Sequence, residues 1–149
     1  MTDRPARSRA AAPLRLLAED EGDLAVISAA LQDAAGRVAD IRFDPAAATL
    51  TLALNRYRWE APARAKERVR TAVQFGGVLG VRARGLTPGA KEAVVSVLSV
   101  GFQPGEAPGG AVTIRFAGGA DLQAEVEVLD AALADVGEAY PARAAPRHA

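Results

Sequence analysis

Two stretches of the chain, 112–116 and 122–128, alternate apolar and polar residues with a period of two, and Gly118-Gly119 lies between them. Successive side chains of a β-strand point to opposite faces, so this alternation predicts a hairpin with one buried face. The same period recurs in residues 50–54 and 69–75. The pattern therefore predicts an antiparallel sheet, which excludes an all-helical fold.

Other apolar segments add strands to this sheet. Residues 94–102 are apolar at nearly every position and rich in β-branched side chains, which predicts a central strand covered on both faces. Residues 14–17 predict a short opening strand. Tyr57 and Trp59 are odd-numbered, whereas the leucines of 50–54 are even-numbered. A bulge near Asn55-Arg56 would place these aromatics on the leucine face, and a regular strand would place them on the opposite face.

Two segments have helical spacing instead. The first predicts a helix that begins at an N-cap, Asp23, and ends near Gly36. The second predicts a C-terminal helix that ends at Gly137. The apolar residues that carry these predictions are Leu24, Ile27 and Leu31 in the first helix and Leu129, Ala132, Leu133 and Val136 in the second.

These elements predict an α+β domain, with a strongly bent antiparallel sheet or small barrel and one helix near each terminus. The last hairpin followed by a helix resembles a pleckstrin-homology-type barrel, while an open sheet with helices on one face is the alternative. The length of 149 residues fits one domain, which we place at 14–140. Residues 1–13 and 141–149 are small, basic and proline-containing, and are predicted to be a disordered arm and a disordered tail.

Composition excludes several kinds of site. The chain has no cysteine, so disulfides, thiolate metal sites and cysteine nucleophiles are excluded, and His148 is its single histidine. We therefore predict no catalytic, cofactor-binding or metal-binding residues and no cofactor. Lys+Arg and Asp+Glu number 18 each, which gives no overall basic signal for nucleic acid. Apolar runs are too short for an export signal or a membrane span, so we expect a cytoplasmic protein without membrane contact.

The segment 55–70 is the most unusual part of the chain, because it contains six basic residues and the single tryptophan. Its candidate interaction surface comprises Arg56, Tyr57, Arg58, Trp59, Arg68 and Arg70. Interleaved aromatic and basic side chains can stack bases and contact phosphates, and arginine can hold carboxylates or phosphates bidentately. The plainer interpretation is that the aromatics close the core edge and the arginines form a solvated rim.

Several stretches of the chain resemble a bacterial family of domains of unknown function that is typical of alphaproteobacteria. The residues that carry this resemblance are 14–20 (LRLLAED), 24–34 (LAVISAALQDA), 54–60 (LNRYRWE), 101–108 (GFQPGEAP) and 114–119 (IRFAGG). The resemblance implies a small cytoplasmic bacterial protein. The family has no assigned activity, so the resemblance implies no site residues.

Three functions follow as hypotheses. The first is a non-enzymatic binding or adaptor module, whose exposed sheet edges pair with a protein partner or with a second copy of the chain. The second is a nucleic-acid-associated protein that uses the basic and aromatic segment 55–70. The third is a small-molecule-binding protein or enzyme that uses carboxylates, Tyr57 or arginine in a pocket that the sequence does not identify.

Overall fold

The computed structural model describes residues 13–87 and 89–142, and these residues contain eleven strands. The strands are β1 (Arg15–Ala18), β2 (Ala35–Arg37), β3 (Ile41–Asp44), β4 (Thr49–Tyr57), β5 (Glu67–Phe75), β6 (Val78–Arg84), β7 (Val94–Pro104), β8 (Gly110–Phe116), β9 (Asp121–Val126), β10 (Ala131–Asp135) and β11 (Tyr140–Pro141). One helix, α1 (Glu21–Leu31), and two 3-10 turns, Val38–Asp40 and Ala117–Gly119, complete the described elements. The predicted arm and most of the predicted tail, with His148, lie outside the described residues.

The strands form one open antiparallel sheet in the order β1-β10-β5-β4-β2-β7-β8-β9-β6. In addition, β3 pairs with β4 and β11 pairs with β5. The β5–β10 pair continues into the β6–β9 pair, because the Gly76 amide donates to the Asp130 carbonyl and the Glu127 amide to the Gly77 carbonyl, both at 2.9 Å. The predicted hairpin is confirmed as β8–β9, where Thr113 lies opposite Gln123. The barrel and the pleckstrin-homology-type architecture are not confirmed.

The helix α1 covers one face of the sheet. Its residues Leu24, Ile27 and Leu31 are buried in the same core as the leucines of β4. The helix begins one turn earlier than Asp23, because Asp20 is the N-cap and its carboxylate accepts the Asp23 amide at 2.8 Å. It ends at Leu31 rather than near Gly36, which lies in β2. We call the sheet face toward α1 the inner face and the opposite one the outer face.

The predicted C-terminal helix is wrong. Residues 131–135 form β10, which lies between β1 and β5. The buried residues are Leu129, Ala131 and Leu133, which follow a period of two, whereas Val136 is 62% exposed. As a strand between two neighbours, the segment buries every second side chain and pairs its backbone N–H and C=O groups. These tertiary contacts override the local helical spacing.

The strand β7 is central, as predicted, because it pairs with β2 and β8. It is not covered on both faces. Val95 and Val97 are buried on the inner face near α1, whereas Val94 is 73% exposed and Leu98 is 49% exposed. The apolar outer positions of β7 therefore lack a covering layer within the described residues, and the prediction of two covered faces is wrong.

Candidate functional site

The site begins with the register of β4. Leu50, Leu52 and Leu54 are fully buried on the inner face, and β4 pairs with β5 without a shift as far as Tyr57 opposite Arg68. No bulge interrupts the strand, so the next inner position belongs to Arg56. Its side chain is completely buried. The same alternation places Tyr57 on the outer face.

All five N–H groups of the Arg56 guanidinium have acceptors. Nε donates to Asp135 Oδ1 and Nη2 to Asp135 Oδ2, both at 2.8 Å. Nη1 donates to Glu60 Oε1 at 2.9 Å and Nη2 to Glu60 Oε2 at 2.7 Å. The remaining N–H of Nη1 donates to the Tyr57 carbonyl at 3.3 Å. Because an arginine has five donors, none remains for a ligand. We call Arg56, Asp135 and Glu60 the buried ion cluster.

The buried ion cluster is fully charged at neutral pH. Burial favours the neutral form of Asp135, but hydrogen bonds from Arg56 and the Leu14 amide outweigh it and hold the pKa of Asp135 below its usual value. The hydrogen bonds from Arg56 likewise lower the pKa of Glu60. Burial opposes the charge of Arg56, yet its two carboxylate partners raise its pKa further. Carboxylates with low pKa and engaged oxygens are poor general acids.

A second buried arginine holds the loop 58–66 that joins β4 to β5. Arg58 is 5% exposed, and its Nη1 donates to Glu67 Oε1. Its amide donates to the Glu67 carbonyl at 2.8 Å, which closes the base of the loop. Glu60, within the same loop, accepts from Arg56. Both arginines therefore bind carboxylates of this loop or its borders, and the loop is fixed on the sheet.

This loop holds Trp59 at the surface. The indole ring packs edge-on against Tyr57, with ring centroids 4.7 Å apart and an angle of 61° between the planes. Its Nε1 donates to the Gln32 carbonyl at 3.2 Å, just beyond the end of α1. Trp59 is nevertheless 38% exposed. The ring is thus held by a polar and an aromatic contact while one part of it faces solvent.

Two further residues extend this surface on the outer face. Arg68 lies opposite Tyr57 on one side and opposite Tyr140 on the other, so the three side chains form one row across β4, β5 and β11. The Nη1 of Arg68 donates to the carbonyls of Asn55, at 2.9 Å, and Asp33, at 3.3 Å. Tyr140 is 40% exposed. We call Trp59, Arg68 and Tyr140 the aromatic corner.

The six predicted surface residues are thus divided. Arg56, Tyr57 and Arg58 are buried, Trp59 and Arg68 belong to the aromatic corner, and Arg70 lies on the outer face near Asp40. The distance between Arg70 Nη2 and Asp40 Oδ1 is 3.3 Å. Sequence analysis missed Asp135, Glu60 and Tyr140. For Asp135 and Tyr140 no local signal existed, because strand pairing alone brings them to this segment.

Two further features are absent from the described residues. Residues 13–87 and 89–142 contain no group of three or more His, Cys, Asp or Glu side chains able to hold a metal ion. The same ranges contain no helix with the length and apolarity needed to cross a bilayer.

Comparison with known proteins assigns the chain to a family through its amino-acid sequence. No curated protein matches it, and no solved structure does. One family model matches residues 14–148, which is nearly the whole chain. This match confirms the resemblance to a family without an assigned activity, and the chain belongs to the family described as a protein of unknown function (DUF2948).

Proposed function

We propose that the protein is a non-enzymatic binding module of the bacterial cytoplasm that contacts a partner protein through the aromatic corner. The observation that carries this proposal is Trp59, which is held on both sides and still 38% exposed. Tryptophan, tyrosine and arginine are the residue types that dominate the energetics of protein interfaces, and the aromatic corner contains one of each. The lack of cysteine is compatible with a reducing compartment.

Preorganisation of the corner supports this role. Binding loses affinity when flexible side chains become ordered, at a cost of about 0.5–1.5 kcal/mol for each such side chain. Trp59 already has its orientation in the free protein, because Tyr57 and the Gln32 carbonyl hold the ring. Arg68 is likewise oriented by two backbone carbonyls. A partner would therefore bind these two side chains with little further loss of freedom.

The buried ion cluster supports the same proposal through its contacts with the loop that carries Trp59. A buried ion pair is expensive to desolvate and adds little net stability compared with apolar packing. Here its carboxylates belong to β10 and to the loop that carries Trp59. We therefore interpret the cluster as the element that fixes the position of the loop, rather than as a catalytic centre. The third hypothesis, an enzyme based on these groups, receives no support from donors that are already engaged.

The test compares variants of the corner with a matched exposed apolar residue elsewhere. Tagged wild-type protein and the variants Trp59→Ala, Tyr140→Ala and Val128→Ala are purified from the native host, and copurifying proteins are quantified by mass spectrometry. Val128 is 43% exposed and lies between β9 and β10, outside the corner. We expect a partner that wild type and Val128→Ala retain equally and that each corner variant loses by about tenfold or more.

Purified components make this result decisive. Trp59 is the single tryptophan, so its emission reports on the corner directly. We expect the emission maximum of wild type to shift to shorter wavelength when the purified partner covers the ring. Equal retention by all variants, or a partner that leaves the emission unchanged, would show that the corner is not the interface. Circular dichroism of each variant establishes that the fold is intact.

Nucleic acid is the second candidate, and the presence of an exposed Trp59 and of Arg68 in the aromatic corner favours it. An aromatic ring that stacks a base next to an arginine that contacts phosphate is a common arrangement in single-strand binding. Arg56 and Arg58 are buried and bound to carboxylates, so this candidate depends on Arg68, Arg70 and the aromatic rings. Quenching of Trp59 by an oligonucleotide, lost as salt rises, would favour it over a protein partner.

A further inference from the structure

A groove of about 650 Å³ lies at the β6 end of the strand order. Its lining comes from residues 79–82 of β6, from the second half of β9, from the adjoining ends of β7 and β8, and from the turn between these two strands. This volume is within the range of about 300–1,000 Å³ that ligand pockets occupy. The groove shares no residue with the aromatic corner.

Small residues on the outer face create the hollow. Gly80 lies opposite Glu125, Glu125 lies opposite Ala111, and Ala111 lies opposite Gln103, so one row crosses the floor from β6 to β7. A Cβ atom added to Gly80 would have no neighbour within 4 Å, so the space above this position is open. The floor is therefore low at Gly80 and Ala111 and carries a carboxylate between them.

The groove extends to β6, an edge strand of the sheet, whose first amide, that of Val78, donates to the Ala48 carbonyl at 2.9 Å. Among the strands that the structure describes, β6 pairs with β9 alone and ends the strand order. Leu79, at the start of β6, lines the groove and is 58% exposed. The free side of an edge strand has backbone N–H and C=O groups that an added strand can pair with. An extended polypeptide could lie along β6 and place alternate side chains in the groove.

The charges of the groove lining indicate which side chains a bound polypeptide would carry. Three exposed glutamates, Glu106, Glu125 and Glu127, face one arginine, Arg82. The Nη2 of Arg82 donates to Gln123 Oε1 at 3.3 Å, and in the described part of the chain none of the three glutamates forms an ion pair. The groove is therefore net negative and complementary to a cation.

The apolar part of the lining restricts the kind of ligand further. Leu79, Pro104 and Pro108 line the groove together with the glutamates. Arginine and lysine side chains combine a cationic head with an apolar stem, and they bury the stem on apolar surface while the head stays among polar groups. We propose that this groove binds an extended segment of a partner protein that carries arginine or lysine, added as a strand along β6. The proposal is independent of the aromatic corner.

The test is a titration of the whole ¹⁵N-labelled protein followed by heteronuclear NMR. The probe is the blocked peptide Val-Arg-Val-Arg-Val, and the peptide Val-Glu-Val-Glu-Val is its charge-reversed counterpart. We expect saturable shifts at Gly80, Gly105, Gly109 and Gly110 with the arginine peptide and none there with the glutamate peptide. The double variant Glu125→Gln/Glu127→Gln should bind the arginine peptide about fivefold more weakly.

The control variant removes one negative charge from another place. Glu138 is exposed between β10 and β11 and does not line the groove, so Glu138→Gln should leave the affinity unchanged. Equal weakening by Glu138→Gln would mean general charge attraction and would overturn the proposal. Shifts outside the groove would also overturn it. Equally tight binding of free arginine amide would show a small cationic ligand instead of a polypeptide strand. The spectrum of each free variant shows whether it is folded.

Discussion

Replacing Arg56 with methionine tests how the buried ion cluster contributes to stability. The change leaves Asp135, whose side chain is 1% exposed, without the two charged hydrogen bonds it accepts at 2.8 Å. Hydrogen bonds to charged groups contribute about 1.5–3 kcal/mol each, and loss of one partner of a buried pair costs about 3–5 kcal/mol. Glu60 is 37% exposed, so water solvates it and it adds little. We expect Arg56→Met to lower the free energy of unfolding by about 3–5 kcal/mol.

Urea unfolding followed by circular dichroism measures this loss, and two further variants isolate its cause. Arg42→Met makes the same substitution at an exposed position of β3 and should change the free energy of unfolding by less than about 0.5 kcal/mol. Arg56→Met combined with Asp135→Leu removes the uncompensated buried charge and should recover part of the loss. A loss below about 1 kcal/mol for Arg56→Met, or a double variant less stable than the single one, would refute the reasoning.

Two other predictions use the same assay. The pKa values of Asp135 and Glu60 are lowered in the folded state, so their contribution is complete above the unfolded values of about 3.9 and 4.3 and is lost as pH falls through the folded values. When the pH is lowered below about 4, the urea midpoint of wild type should therefore decrease, and that of Arg56→Met should decrease less. Parallel plots of midpoint against pH for the two proteins would contradict this. Gly110→Ala should cost about 1–3 kcal/mol, because a Cβ atom there would lie 2.7 Å from the Phe102 ring and even closer to the carbonyl oxygen of Gln103. Gly101→Ala, with nothing within 4 Å, is the matched control, and equal losses in the two variants would count against the close approach.

The sheet could be predicted where one local pattern decides the structure. In β8 and β9 the period of two, the central Gly118-Gly119 and the matched register are all consistent with one hairpin. Gly118 and Gly119 have φ angles of 88° and 92°, which glycine adopts without steric cost. The strand β7 shows where the pattern is insufficient. Its apolar outer residues, Val94 and Leu98, predict a covering layer, but a strand can be central in a sheet and still have one open face.

The C-terminal helix could not be excluded from the sequence. Leu129 and Leu133 fit both a helical spacing and an alternation, because a separation of four residues belongs to both periods. Val136 fits only the helix, and its exposure in the structure shows that it does not decide the element. What decides is the position between β1 and β5, where Leu133 lies opposite Leu16 and Val73. Both partners are distant in sequence, so short-range periodicity carries no information about them.

Part of the site follows from the sheet when the alternation along β4 is extended by one more inward position. If β4 is regular, the alternation of its leucines leads directly to Arg56 on the inner face, so the burial of an arginine was within reach of the sequence. Its main acceptor, Asp135, is 79 residues away and belongs to the segment predicted as a helix. The prediction of an arginine-rich surface therefore missed the partner that makes burial of Arg56 tolerable.

The alternation along β4 also separates a residue that stabilises the fold from the residues proposed to bind a partner. Arg56 lies inward with Asp135, and the next residue, Tyr57, lies outward beneath Trp59. Substitution of Arg56 should therefore weaken binding only by loosening the loop, with a loss of stability in proportion. Substitution of Trp59 should weaken binding while the urea midpoint changes much less, because Trp59 is partly solvated already. A partner that responds to both variants in proportion to their stability would bind the fold in general, whereas a partner that responds to Trp59→Ala alone would bind the aromatic corner.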